Sequence, residues 1–337
     1  MGTTEVRRLP VPGATLHYEV RGAGPVLLLI CGGVYDAAAF APLAERLADR
    51  YTVVTYDRRG NSRSPLDGAP GPQSIEEHGD DAYRVLGAAG VSATTPAYVF
   101  GNSSGAIIGL ELAARHPELV RVLVAHEPPL FELLPERDHW REVLREVAAA
   151  FQEGGSAAAG QVLGAALAMS GAPTDEPKPE GGREPATATK PEGGREPAAV
   201  AEPEGDREPA VFGSEAATGE GHGGGGRIPG GSAAPAELDP ETAAMLARFA
   251  VNNEFFLEFE VPPFARYVPD AAALKGSATR VVPAAGAVSV GEPPARAAHA
   301  VGGLLGVPTA TFPGDHGGFG LAVEDFARRL DEVITEG

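Results

Sequence analysis

The sequence predicts an α/β fold with a mostly parallel central sheet and helices on both faces. In two outer zones, residues 1 to about 130 and about 277–337, short β-branched and Leu-rich runs alternate with segments that carry apolar residues at helical spacing. The middle zone, about 131–276, lacks this alternation. Each strand–helix pair implies a right-handed crossover, so we expect the two outer zones to form one sheet that is interrupted by an insertion.

The elements of the outer zones are defined by their runs. The predicted strands are 16–20, 26–30, 51–56, 97–100, 120–125, 279–282 and 309–312. The predicted helices between and after them are 37–49, 74–89, 104–115, 292–305 and 318–335. Strands and helices therefore take turns along the chain, as a parallel sheet requires.

The middle zone is predicted to be a helical cap around a disordered insertion. Residues 131–170 and 238–260 have helix-like patterns. Between them, 171–237 is rich in Gly and Pro and contains the 12-residue units PEGGREPATATK, PEGGREPAAVAE and PEGDREPAVFGS. These units offer almost no apolar residues, so burial cannot offset the entropy of ordering them.

Charge and composition exclude several classes of partner. The net charge of −19 disfavours nucleic acid and anionic membrane surfaces. No apolar run approaches the roughly 18 residues of a membrane span, and the first residues lack the apolar region of a secretory signal. The single cysteine, Cys31, cannot form an internal disulfide or by itself a Cys-type zinc site. We therefore expect a cytoplasmic protein, of unspecified oligomeric state.

The most informative motif is Gly101-Asn102-Ser103-Ser104-Gly105, which follows a predicted strand and precedes a predicted helix. In this context G-x-S-x-G forms a sharp turn that presents the serine at the carboxyl end of the strand. The helix N-terminus adds backbone N–H groups beside the reacting centre. Ser103 is the predicted nucleophile.

With this motif the sequence resembles the α/β-hydrolase superfamily, over both outer zones. The strand 26–30 ends in Cys31-Gly32-Gly33, where the family has His-Gly-x, and this match implies an oxyanion hole formed by the N–H groups of Gly33 and Ser104. The segment 56–64, YDRRGNSRS, is similar to the family's D-x-R-G-x-G-x-S loop and is interpreted as a structural turn network. Gly314-Asp315-His316-Gly317-Gly318 follows the last strand, where the family places its catalytic histidine, so the resemblance implies His316 as the base. His126, which ends the strand after the nucleophile, is the rival.

The acid departs from the common pattern of the family. Most members carry Asp after the strand that resumes past the cap, and the expected position here holds Val288, which cannot accept a hydrogen bond. Haloalkane dehalogenases place the acid after the strand that follows the nucleophile. That strand ends here in His126-Glu127, so we predict Glu127 as the acid, with Glu292 and Asp315 as weaker alternatives.

The predicted activity is hydrolysis of an ester, lactone or thioester of a small hydrophobic substrate through an acyl-enzyme, with no cofactor and no metal. A serine argues against the alkyl-enzyme chemistry of dehalogenases, which use Asp. Two alternatives stay open: a non-catalytic relative that binds a ligand, and a cofactor-free haloperoxidase or C–C hydrolase type of enzyme. The predicted substrate pocket is formed by Val34, His126, Trp140, Phe255 and Phe256.

Overall fold

The computed structural model describes residues 3–170 and 239–336. Eight strands form one sheet. In chain order they are β1 (Glu5–Val11), β2 (Ala14–Arg21), β3 (Val26–Ile30), β4 (Thr52–Tyr56), β5 (Ala97–Asn102), β6 (Val120–His126), β7 (Arg280–Gly286) and β8 (Ala310–Phe312). Their order across the sheet is β1-β2-β4-β3-β5-β6-β7-β8, so strands from both outer zones share it. The insertion predicted at 171–237 lies outside the described residues.

The sheet is parallel from β4 to β8 and antiparallel at the β1–β2 edge. The sequence analysis did not predict β1. Its segment EVRRLPV is mostly exposed and strongly charged, as is usual for an edge strand, and it lacks the apolar run by which the other strands are recognised. Gly13, at a φ of 80°, makes the tight turn that joins it to β2.

Helices cover both faces of the sheet. The α-helices of the described residues are α1 (Ala41–Leu47), α2 (Ile75–Ala88), α3 (Ser104–Arg115), α4 (Arg137–Ser170), α5 (Pro240–Phe255), α6 (Val261–Phe264), α7 (Ala271–Gly276), α8 (Pro293–Leu305), α9 (Gly318–Leu321) and α10 (Val323–Thr335). Helices α2 and α3 pack together on one face, and α1 and α10 pack together on the other. In β3, Leu27 and Leu29 belong to one core and Leu28 and Ile30 to the other, because alternate side chains of a strand point to opposite faces. A strand buried on both faces reads as a continuous apolar run, which is why the sequence revealed it.

The chain between β6 and β7 supplies the helices that we call the cap helices, α4, α5 and α6, together with the π-helical turn Phe256–Glu260 that joins α5 to α6. Residue Asn252 of α5 contacts the loops that follow β3 and β4. The short helix α7 instead packs against α3 and α8 of the sheet layers. Within residues 3–170 and 239–336, no helix has both the length and the apolarity needed to cross a membrane.

Candidate active site

Ser103 lies in the turn between β5 and α3, at the carboxyl end of the sheet. Its backbone has φ 56° and ψ −128°, a conformation that residues with a side chain rarely adopt. The turn is held from the neighbouring strand, because the Ser103 N–H donates to the His126 carbonyl (2.9 Å). The strained turn projects the serine from the end of β5, as the motif predicts.

The glycines of the motif are required by close backbone contacts. A Cβ on Gly101 would lie 2.4 Å from the Gly105 carbonyl oxygen, and a Cβ on Gly105 would lie 2.1 Å from the Ile30 carbonyl oxygen. Gly32 is equally restricted, because a Cβ there would lie 2.4 Å from the Asn102 carbonyl oxygen. The absence of side chains lets the loop after β3 pack directly against the serine turn.

Glu127 and His316 meet at this end of the sheet although 189 positions separate them. Glu127 Oε2 lies 2.7 Å from His316 Nδ1, and Glu127 Oε1 accepts a hydrogen bond from the Gly286 N–H (2.7 Å). Glu127 also has a positive φ of 47°, and its own N–H donates to the Ala284 carbonyl (2.9 Å). Bonds to β7 and to the histidine loop therefore fix both the backbone and the carboxylate of Glu127.

The environment of Glu127 keeps its carboxylate ionised. Burial by itself raises the pKa of this group, but the His316 hydrogen bond, the charges of His316 and His126 and the Gly286 N–H outweigh burial and lower the pKa to about 2. An ionised carboxylate can only accept hydrogen bonds, so the proton between the two groups belongs to His316 Nδ1. In the neutral ring, Nε2 is then the nitrogen that can take up a proton.

The position in the loop after β7 where the acid was expected holds no carboxylate. Glu292, at the end of the same loop, is half-buried, and burial and the nearby Glu127 charge raise its pKa. Val288 was expected to occupy the position of the family's acid, but its side chain is 69% exposed and points to solvent. The inward side chain of this turn is Ser289, which is fully buried and whose Oγ has no hydrogen-bond partner among the described residues. The sequence pattern could not show which residue of this turn faces inward, because that depends on local torsion angles.

The predicted oxyanion donors lie beside Ser103, but one of them is engaged. The Gly33 N–H donates to the Ser104 hydroxyl oxygen (2.9 Å). Ser104 is the first residue of α3 and is buried, so its side chain reaches back across the turn to the loop after β3. For Gly33 to bind an oxyanion, the Ser104 side chain must rotate away from it.

His126, the rival base, belongs to the core. Its ring lies at edge-on or tilted angles to Phe100, Phe312 and Phe326, and burial lowers its pKa to about 4. Its Nδ1 lies 3.1 Å from the Asn102 side-chain amide, whose Nδ2 also donates to the His316 carbonyl (3.0 Å). A neutral ring that accepts at Nδ1 carries its proton on Nε2, so neither nitrogen serves as a base toward Ser103.

Asn102 is a site residue that sequence reasoning missed. It is almost fully buried, and it links the serine turn to the histidine loop through the bond to the His316 carbonyl. Its place in the motif, directly before the serine, was the available signal.

The predicted pocket residues fall into two groups. Trp140 and His126 are fully buried, and Trp140 stacks on Phe131 with ring centroids 4.1 Å apart, so both fill the interior instead of lining an open surface. Val34, Phe255 and Phe256 are partly exposed. The ring of Phe255 covers Gly60, where a Cβ would lie 2.1 Å from the ring. Within the described ranges, no group of three or more His, Cys, Asp or Glu side chains could hold a metal ion.

Comparison with known proteins agrees with this architecture. A family model described as the alpha/beta hydrolase fold matches residues 25–180. The uncharacterized hydrolase YraK of Bacillus subtilis (strain 168) is 33% identical over 332 residues, which cover 97% of this chain and 95% of the relative.

Solved structures show the same fold at low identity. A thermophilic esterase from Thermogutta terrifontis matches 99% of this chain and 98% of its own, with 14% identity and a TM-score of 0.60. The enol-lactonase from Burkholderia xenovorans LB400 matches 98% of this chain and 100% of its own, with 15% identity and a TM-score of 0.57. The near-complete match to YraK, the family model and the strand order together establish that the chain belongs to the α/β-hydrolase family.

Proposed function

We propose that this hydrolase cleaves an ester or lactone of a small hydrophobic substrate, with Ser103 as nucleophile, His316 as base and Glu127 as the acid that orients it. The observation that carries the proposal is the 2.7 Å contact between Glu127 Oε2 and His316 Nδ1, at the sheet end where the strained Ser103 turn lies. A buried carboxylate on Nδ1 holds the tautomer that a serine nucleophile needs and stabilises the imidazolium.

The reaction follows from these roles. The Ser103 proton passes to His316 Nε2 as Oγ bonds to the carbonyl carbon, and the carbonyl electron pair moves to oxygen. The Ser104 N–H, and the Gly33 N–H once the Ser104 side chain has rotated, stabilise this oxyanion. The tetrahedral intermediate then breaks its bond to the alcohol oxygen, and this oxygen takes the proton from His316. Water then adds to the acyl carbon as its proton passes to His316 Nε2. The second tetrahedral intermediate breaks its bond to Ser103 Oγ, which takes that proton, and the acid is released.

Two further considerations support an ester or lactone. Esterase and lactonase are the activities named for the two structural neighbours. The partly exposed apolar side chains of Val34, Phe255 and Phe256 suit a hydrophobic acyl or ring group. The alternative of a purely ligand-binding protein rested on the lack of a carboxylate at position 288. The contact between Glu127 and His316 favours the catalytic role, because it supplies a carboxylate from a different loop.

Labelling with a fluorophosphonate tests the proposal, because only an activated serine reacts with it. We expect the wild-type chain to be labelled and to hydrolyse p-nitrophenyl esters or lactones of graded acyl length. Ser103→Ala should abolish labelling and lower kcat by several orders of magnitude without loss of folding. Ser104→Ala, which removes the neighbouring hydroxyl, should still be labelled. Labelling that survives in Ser103→Ala would assign the nucleophile elsewhere.

A further inference from the structure

An ion pair between Arg58 and Glu260 connects the loop after β4 to the cap helices. Arg58 Nη2 lies 2.8 Å from Glu260 Oε2, and both side chains are fully buried. Desolvation of two charges offsets much of their attraction, so a buried pair is weak evidence of a stabilising role. The other contacts of the two side chains show what the pair holds in place.

Arg58 binds the backbone of the loop that carries the predicted oxyanion donor. Its Nη1 donates to the Cys31 carbonyl (2.7 Å) and its Nη2 to the Gly33 carbonyl (2.6 Å). In a planar trans peptide the C=O and N–H point in opposite directions, so holding these two carbonyls also fixes the N–H groups of Gly32 and Val34. These are the two peptide units on either side of the one that carries the Gly33 N–H. Gly33 has a φ of 54° and no side chain to restrain it. Arg58 supplies the restraint that glycine lacks.

Glu260 in turn anchors Arg58 from the cap. Its second carboxylate oxygen accepts a hydrogen bond from the Asn61 side-chain amide (2.8 Å), so both oxygens are bound to the loop after β4. Without this carboxylate, the guanidinium of Arg58 would be a buried charge with no acidic partner in contact among residues 3–170 and 239–336. The orientation of Arg58, and through it the loop after β3, therefore depends on a residue of the cap.

A second cap residue, Asn252, forms hydrogen bonds with the loop after β3 and with the loop after β4. Asn252 Nδ2 donates to the Val34 carbonyl (2.8 Å), and its Oδ1 accepts from the Ser62 N–H (2.8 Å). Eight residues along an α-helix, Glu260 would lie about 80° around the axis from Asn252. The π-helical turn Phe256–Glu260 advances by a smaller angle per residue and reduces this offset. The irregular turn thus brings both side chains onto the face that meets the loops.

We propose that Glu260 is a positioning residue for the oxyanion hole, acting through Arg58 with the help of Asn252, so that a docked cap is part of the transition-state binding site. This inference rests on the proposed function. It predicts that loss of Glu260 weakens binding of the oxyanion more than binding of the ground-state substrate, whereas a residue that only stabilised the fold would affect neither in a folded sample.

The test compares Glu260→Gln with Asp81→Asn. Asp81 is fully buried and binds the neighbouring Arg59 through Nε and Nη2, both at 2.7 Å, but has no hydrogen bond to the loop after β3. The readouts are kcat and KM for a p-nitrophenyl ester and the inhibition constant of a trifluoromethyl ketone with the same acyl chain. Ser103 Oγ adds to the carbonyl carbon of the ketone, and the ketone oxygen becomes an oxyanion. The affinity of the ketone therefore reports on the oxyanion hole.

We expect Glu260→Gln to lower kcat and ketone affinity in parallel, by roughly 10- to 100-fold, with KM changing much less. Asn252→Ala, which removes no charge, should shift both quantities in the same direction by a smaller factor, and it serves if Glu260→Gln fails to fold. Asp81→Asn should lower stability but leave kcat and ketone affinity near wild type.

Equal effects of Glu260→Gln and Asp81→Asn on kcat and ketone affinity, or wild-type values in folded Glu260→Gln, would overturn the inference. If Glu260→Gln does not fold, wild-type kcat and ketone affinity in Asn252→Ala would overturn the inference. Failure of the proposed function looks different, because the wild-type chain itself would then show neither ester hydrolysis nor Ser103-dependent labelling.

Discussion

Two loops at the carboxyl end of the sheet differ in a way that defines this site. The loop after β6 carries Glu127, with a buried carboxylate on His316. The adjacent loop after β7, where the resemblance to the family predicted the acid, presents the exposed Val288 and the buried Ser289. Its backbone still takes part, because the Gly286 N–H holds Glu127.

Under the proposed triad, the acid is defined by its contact with His316 and not by the strand that precedes it. β6 and β7 are parallel neighbours, with His126 paired to Ala284, so their ends reach the same place beside the histidine loop. An acid from either strand end can therefore meet Nδ1 of the same imidazole. The backbone at the end of β7 contributes as well, because the Gly286 N–H donates to the Glu127 carboxylate.

The largest effect is expected from removing the proposed acid, Glu127. Glu127→Gln should lower kcat/KM by roughly 10²–10⁴-fold, mainly through kcat, because a neutral amide neither stabilises the imidazolium nor fixes the tautomer. Steady-state kinetics on the best ester substrate, with circular dichroism as a folding control, checks this. Wild-type turnover in a folded Glu127→Gln sample would show that Glu127 is not the acid. Either Glu292 would then orient His316, or a serine–histidine pair would act without an acid.

A smaller effect is expected from returning an acid to the other loop. In the Glu127→Gln background, Ser289→Asp should restore part of the lost rate, about 10-fold, because residue 289 is the buried side chain of that turn. Val288→Asp in the same background is the matched control and should restore nothing, since its side chain points to solvent. Rescue by Val288→Asp alone would show that the loop rearranges and that its exposure in this structure does not decide the outcome.

The same contrast explains what the sequence could reveal. Buried strands such as β3 and β5 are apolar on both faces and were found from their composition, whereas the charged edge strand β1 was not. The strand ends predicted which side chains gather at one edge of the sheet. Contacts within a turn, such as the Ser104 hydroxyl on the Gly33 N–H or the inward direction of Ser289, depend on local torsion angles that no spacing encodes.

Long-range polar contacts were the hardest to predict. Glu260 is 202 positions from Arg58 and reaches it at the end of a π-helical turn. Nothing in the sequence distinguishes it from Glu254 and Glu258 of the same aromatic-rich segment. Asn102 was visible in the motif, but its bond to the His316 carbonyl depends on where the last loop lies.

The smallest effect concerns the pH dependence of stability. The pKa of Glu127 is lowered to about 2 in the folded chain, against about 4.3 in an unfolded one. Because the folded pKa is the lower, the stabilisation is complete above the unfolded pKa and is lost as pH falls through the folded value. From about pH 6 to about pH 4, the free energy of unfolding of the wild type should therefore drop by on the order of 0.5 kcal/mol more than that of Glu127→Gln.

Urea unfolding of both proteins at the two pH values measures this difference directly. Carboxylates remote from Glu127 contribute equally to both chains, so their effects cancel in the comparison. The Glu127 charge raises the pKa of Glu292 and of His126, so these two groups titrate differently in the two chains. Val288→Asp in the wild-type background is a useful second control, because an exposed carboxylate there should leave the pH dependence close to that of the wild type. If Glu127→Gln loses as much stability as the wild type over this range, the Glu127 carboxylate is not held by His316 and Gly286 in the folded protein. The loop after β6 would then be no better suited than the loop after β7 to supply the acid.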